Sequence, residues 1–360
     1  MSSTHEPFHL DRRRLVLTGA IAIVLAVGAV AAIGEIADFN KMLHSLDRAD
    51  GKWFPVCLGG ELLAYAGYIA AYRDVARADG GPKLSYWTST RVVAIGFGAF
   101  LAASSAATLG TDYWALHRTG EKPHEAARRV LALNTLEWGC LASFATIAGA
   151  LTLAGVGEAP RGMTLGWLIV VPLCIAAAIW VSSPRRADRL AAPPGNRRRL
   201  ARDPRTWPRW LWGVGRAGLA DAIGGVVLVR YLVTHPRRHV HALLGFPVYW
   251  LADILTLYAA LRAFEVHAAL APLVLAYTTA YVVTSLPLPA GGAGGVEAGL
   301  AFSLNAIGIP LAPALLATLV YRFFTLWLPI APALAFLSQL PKLAEELPRV
   351  EREAPAAKYA

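Results

Sequence analysis

Nine stretches of this chain are apolar and close to the length needed to cross a hydrocarbon core of roughly 30 Å. They run over 15–33, 53–72, 92–109, 130–154, 163–181, 211–233, 243–261, 268–286 and 311–337. Backbone polar groups in lipid must be satisfied within the segment, so such stretches fold as helices. The expectation is an all-α, polytopic integral membrane protein with eight to nine hydrophobic segments. With 56% hydrophobic and 16% charged residues the chain lies outside the range of soluble domains. The longest polar interval, 182–209, has no room for a soluble catalytic domain, so function resides in the membrane and no enzymatic role is expected. Arg12, Arg13 and Arg14 precede the first apolar run, which reads as an anchor rather than a cleavable signal. Cys57, Cys140 and Cys174 all fall in apolar segments without metal or disulfide spacing, and no metal or cofactor is expected.

The net charge of +10 is concentrated. The interval 182–209 holds nine arginines against Asp188 and Asp203, which is a topology and lipid-surface signal rather than a nucleic-acid one. It places this loop and the N-terminus on the cytoplasmic side of the cell membrane, the loop against anionic lipids. Five apolar segments then lie between two flanks on one side, so one of them does not cross. The segment 92–110 is short and rich in small residues, and is expected to be a re-entrant or broken helix; the alternative is an ordinary span beside a misjudged neighbour. The chain divides into a first membrane half (1–184), an Arg-rich loop (185–210), a second membrane half (211–340) and a polar tail (341–360).

The two halves echo each other. Asp112 in "GTDYW" lies 185 residues before Glu297 in "GVEAG", and each acid is followed 25 positions later by a charged residue, Glu137 and Arg322. "FPVCLGGE" and "FPVYWLAD" place Glu61 and Asp253 alike. Deviant hydrophobic segments at matching places in two halves point to a binding site at the repeat interface. Whether the copies are parallel or inverted depends on the span count.

The most deviant segment is "SLPLPAGGAGGVEAG" at 285–299. After the breakers Pro287 and Pro289, Gly291, Gly292, Gly294 and Gly295 permit a sharp turn and close backbone approach. A second break at Gly308 and Pro310 makes a hairpin with nearly equal arms, which sets Glu297 and Arg322 at one depth. Ionisable groups at that depth are costly and either pair or serve a pathway. Arg322 suits a phosphate, and free N–H groups where a glycine-led helix opens are a second anion-binding device; the alternative is a structural salt bridge with no ligand. In the first copy Asp112 and Glu137 cannot neutralise each other, and Glu137 to Arg322 across the interface is one solution. Glu61 and Asp253 are candidates for a polar cavity, or for hydrogen bonds to Tyr65 or Tyr258. His235, His239 and His241 sit beside Arg237 and Arg238 and read as an interfacial anchor rather than a metal site.

At these residues the chain resembles the lysylphosphatidylglycerol synthase transmembrane family, the flippase-like membrane region of the multiple peptide resistance factor. The matching pattern is Pro287, Pro289, the glycines 291–295, Glu297, Gly308, then Arg322, Trp327 and Pro329. It departs in the first copy, where the family pattern has Gly-Gly-Asp and an arginine 25 residues on; here stand Thr111-Asp112 and Glu137. The resemblance implies the flippase-like part alone, without the soluble aminoacyl transferase domain. Two functions follow as expectations: a transporter of a membrane phospholipid or lipid-linked anionic intermediate, or a non-transporting scaffold or lipid-binding subunit for a lipid- or glycan-modifying enzyme. Association with a partner enzyme or a second copy is left open. A transporter needs a water-accessible polar cavity at Glu297, Arg322 and Glu61 or Asp253, whereas a scaffold is packed solid there.

Overall fold

The computed structural model describes residues 49–102, 105–183, 207–285 and 293–353, with a few isolated positions besides. The first apolar segment, most of the Arg-rich loop, and Pro287, Pro289, Gly291 and Gly292 lie outside the described residues. The chain is a polytopic, all-α membrane protein, and six described helical stretches are long and apolar enough to cross a membrane. In chain order the helices are α1 (Phe54–Arg77), α2 (Tyr86–Ala102), α3 (Ser105–Arg118), α4 (Pro123–Leu153), α5 (Arg161–Val181) and α6 (Trp207–Thr234). The second half continues with α7 (Val240–Ala263), α8 (Leu270–Tyr281), α9 (Gly295–Ala306), α10 (Leu311–Arg322), α11 (Ile330–Leu337) and α12 (Leu340–Glu346). A π-helical segment, Phe323–Trp327, links α10 to α11.

The stretch 92–110 is a hairpin rather than one span. Arms α2 and α3, of 17 and 14 residues, fold back so that Gly96 faces Thr108 and Thr111. Each is shorter than the ~20 residues a crossing helix needs. The glycine-led stretch forms a second hairpin, α9 and α10, turning where Gly308 takes φ 93° and Pro310 caps α10.

Helix order and packing repeat. A long helix, two shorter ones and a long helix occur as α1–α4 and again as α7–α10 with its continuation into α11. Helix α2 packs on α3 and α11, and its counterpart α8 packs on α9 and α4. The axis of the assembly is the α1–α7 pair. Cys57, Gly60, Ala64, Gly67 and Ala71 recur every three or four residues, forming a buried small-residue stripe on α1. Helix α7 answers with Gly245, Ala252 and Thr256, so the two backbones approach closely. Gly60 meets Thr256, Gly67 meets Gly245, and the Ala242 N–H donates to Asp74 Oδ2 at 2.8 Å. Residue numbers rise on one helix as they fall on the other, so the corresponding helices run antiparallel and the copies are inverted.

The lipid-facing surface follows composition: Leu165, Ile169, Leu173 and Ile179 on α5 are exposed, as are Leu58 and Leu62 on α1. The polar stretch after Leu340 packs back onto the first half as a strap. Leu343 and Leu347 are fully buried, Arg118 Nη2 donates to the Ala344 carbonyl at 3.1 Å, and Arg352 pairs with Glu121 at 3.2 Å. The Lys83 N–H donates to the Glu351 carbonyl and the Glu353 N–H to that of Gly81. Arg91 at the head of α2 pairs with Glu346 and, by hydrogen bonding, holds its carboxyl below the usual carboxylate range. This contact is therefore complete at neutral pH and is lost as pH falls through the lowered value.

Candidate functional site

Between the two copies lies a cavity of about 260 Å³. Its wall is built at helical spacing. Helix α1 presents Glu61, Tyr65 and Tyr68 on the face beside its small-residue stripe, α7 presents Tyr249 and Asp253, and α3 presents Thr108 and Asp112. Helix α4 adds Asn134, Glu137 and Trp138, and α10 ends in Tyr321 and Arg322. Apolar Val93, Phe97 and Phe100 of α2 close one side.

Arg322 and Glu297 form an ion pair, Nε to Oε1 at 2.9 Å, with both side chains at or below 5% exposure. Glu297 itself stands behind Arg322, outside the cavity wall. Its second oxygen, Oε2, accepts the Gly294 N–H at 2.6 Å, so the glutamate caps the start of α9 from one side. The helix start that could have offered N–H groups to an anion thus spends one of them on its own glutamate. Gly294 takes φ 83° to make this cap, a conformation in which a Cβ is strained. Gly294→Ala is expected to cost about 1–2 kcal/mol by that strain. Gly162→Ala, at a helical site with open space around the added methyl, should be neutral; thermal unfolding in mild detergent compares the two.

The other charged groups are less satisfied. Arg322 Nη2 and Glu61 Oε2 are buried without a hydrogen-bond partner, as is Thr325 Oγ1 on the same wall. Asp253 accepts from the hydroxyls of Tyr277 and, at 2.8 Å, Tyr321. Asp112 and Glu137 are 2% exposed and partly exposed respectively, and neither carboxyl has a salt-bridge or hydrogen-bond partner among the described residues. The backbone carbonyl of Glu137 does accept a hydrogen bond, from Trp250 Nε1 at 2.9 Å.

Of the residues singled out from the sequence, the structure brings Glu61, Asp112, Glu137, Asp253 and Arg322 to one cavity, with Glu297 and Gly294 supporting the arginine and Gly295 opening α9. Gly308 and Pro310 make the hairpin turn. The suggested Glu137–Arg322 pairing is replaced by Glu297–Arg322, because the hairpin holds that glutamate against the guanidinium. The tyrosines serving Asp253 are 277 and 321 rather than 258. His239 is buried against Asp74, Nδ1 to Oδ1 at 3.2 Å, while His235 and His241 are exposed.

Of the tyrosines that line the cavity only Tyr65 was named from the sequence, and the rest escaped that reading. Tyr65 and Tyr68 follow Glu61 by one and two helical turns and Tyr249 precedes Asp253 by one turn, so spacing from the acids was the available signal. No curated protein matches the chain. A family model described as the lysylphosphatidylglycerol synthase TM region matches residues 19–333. The chain belongs to that family, which ties this multi-pass membrane protein to lipid modification or flipping.

Proposed function

We propose that the chain is a flippase-like transporter that lets the headgroup of a lipid or lipid-linked molecule pass between leaflets, without catalysis of its own. The observation that carries this reading is the cavity, in which polar atoms of Arg322, Glu61 and Thr325 are left unpartnered inside an apolar bundle. Nearly all buried polar groups in proteins are satisfied, and orphaned ones that line a cavity ask for water or a ligand. A scaffold packed solid at this point would leave no cavity beside them. Arg322 offers a guanidinium edge to a phosphate, Asn134 and the carboxylates accept from headgroup hydroxyl or amino donors, and the aromatic rings supply an apolar wall. The inverted copies fit this reading, since a site between inverted repeats is the arrangement that secondary transporters use. In the cell membrane the N-terminus and the Arg-rich loop face the cytoplasm, on the strength of their positive charge.

The test is a cysteine scan in a chain whose three native cysteines are replaced by alanine. Asn134→Cys, Thr284→Cys and Tyr65→Cys in lipid vesicles should react with a small water-soluble thiol reagent, and less so when lipid headgroups compete. Silence at all three, with reaction at the exposed control Arg237→Cys, would favour the packed scaffold.

A further inference from the structure

The cavity has too little positive charge for its acids. Glu61, Asp112, Glu137 and Asp253 face it, and the one cation on its wall among the described residues, Arg322, is already matched by Glu297 behind it. Asp253 has two tyrosine donors; Asp112 and Glu137 have none. Two neighbouring carboxylates without a counter-ion, set in an apolar bundle beside a small cavity, are costly to ionise together, and holding a proton relieves them.

The inverted repeat sharpens the point. Asp112 and Glu297 hold corresponding places in the two copies, as do Glu137 and Arg322. In the second copy the acid is neutralised by the guanidinium at 2.9 Å. In the first copy the place of the arginine is taken by another acid. A metal ion is a poor substitute, since among the described residues no group of three or more His, Cys, Asp and Glu is arranged to hold one.

Among the described residues the surroundings supply no alternative cation. Helix α1 turns Glu61, Tyr65 and Tyr68 toward the cavity, with Tyr72 beside Asp112. Helix α7 contributes Tyr249 and Asp253, the end of α8 Tyr281, and α10 Tyr321 beside Arg322. The α2 wall is apolar. Helix α6 packs on α4 at Leu131 and carries Arg216, Asp221 and Arg230, none of which lines the cavity. His117 and Arg118 lie at the far end of α3, where His117 Nδ1 is within hydrogen-bond distance of the Glu121 carbonyl and Arg118 binds the strap.

We propose that Asp112 and Glu137 form a proton-binding pair, and that headgroup movement through the cavity is coupled to a proton they carry. The proton is taken from water on one side, forming the O–H bond of a neutral carboxylic acid, and is returned to water on the other side as that bond breaks. No other reactant is needed. The coupling rests on the lipid-pathway reading, whereas the proton site itself does not.

Two arms keep these separate. In the first, the full chain in lipid nanodiscs is titrated by infrared difference spectroscopy, which sees the C=O stretch of protonated carboxyl groups. Asp112→Asn and Glu137→Gln, both near-isosteric and neutral, should each lose part of the titrating band of the wild type. Spectra of both variants that superimpose on the wild type would overturn the proton site. In the second, vesicles carry the wild-type chain and a fluorescent phosphatidylglycerol probe. One unit of pH difference should shift the leaflet ratio of the probe by up to about tenfold for one proton per lipid. Probe that crosses but ignores the pH difference, and equally ignores its reversal, would overturn the coupling. Probe that does not cross at all counts against the pathway reading, and the infrared arm then decides the proton site alone.

Discussion

Arg322→Ala should destabilise the protein by about 3–5 kcal/mol, the range seen when one partner of a buried ion pair is removed. The variant strands Glu297, which is 1% exposed and whose only other partner among the described residues is the Gly294 N–H. Adding Glu297→Ala should return much of that stability, because the stranded charge goes with it. Thermal unfolding in mild detergent measures both. The same double variant separates two roles for the arginine. If the guanidinium holds a headgroup phosphate, the double variant is stable and fails to move a fluorescent phosphatidylglycerol between vesicle leaflets. Translocation restored along with stability would reduce the pair to a clasp that closes the α9–α10 hairpin.

Gly67→Ala should be nearly as damaging, although it adds a single methyl. A Cβ there would stand 2.6 Å from the Gly245 carbonyl oxygen and 2.9 Å from the Tyr249 nitrogen, both backbone atoms that have no rotamer to escape into. Gly245→Ala meets the Gly67 oxygen at 2.5 Å from the other side. Overpacking of this kind costs about 1–3 kcal/mol and occasionally more, and the backbone obstacle puts these variants at the upper end. Because one separation of α1 from α7 relieves both clashes, the double variant should cost less than the sum of the singles. Gly59→Ala, one residue from Gly60 but with open space at its Cβ, is the control and should leave stability unchanged or raise it slightly, since alanine favours the helix. Equal melting temperatures for Gly67→Ala and Gly59→Ala would contradict the close crossing. Glu61 and Asp253 ride on these two helices, so the crossing variants should also loosen the cavity.

The site was legible where chemistry conflicts with environment. Acids and an arginine inside apolar sequence stand out because lipid penalises them, and five of those singled out face one cavity. The two hairpins were legible through their breakers and small residues. Relations between distant helices were not. Nothing local in "GGELLAYAGY" says that Gly67 meets Gly245, since a glycine in a membrane helix reports only that something comes close. The direction of the repeat was hidden for a similar reason: it depends on counting spans, and it shows only in the antiparallel contacts of α1 with α7. Partner choice also escaped, because Asp253 had several tyrosines within reach and only the packing of α8 and α10 selects Tyr277 and Tyr321.

The strap formed by α12 and residues 347–353 has a consequence for biosynthesis. Its partners, Gly81, Lys83, Arg91, Arg118 and Glu121, are made long before it, with 255 residues separating Arg91 from Glu346. While the ribosome is still adding the second half, the ends of α2 and α3 have been inserted without their final contacts. These contacts can form only once residues 340–353 have been made, so until then the ends of α2 and α3 lack them.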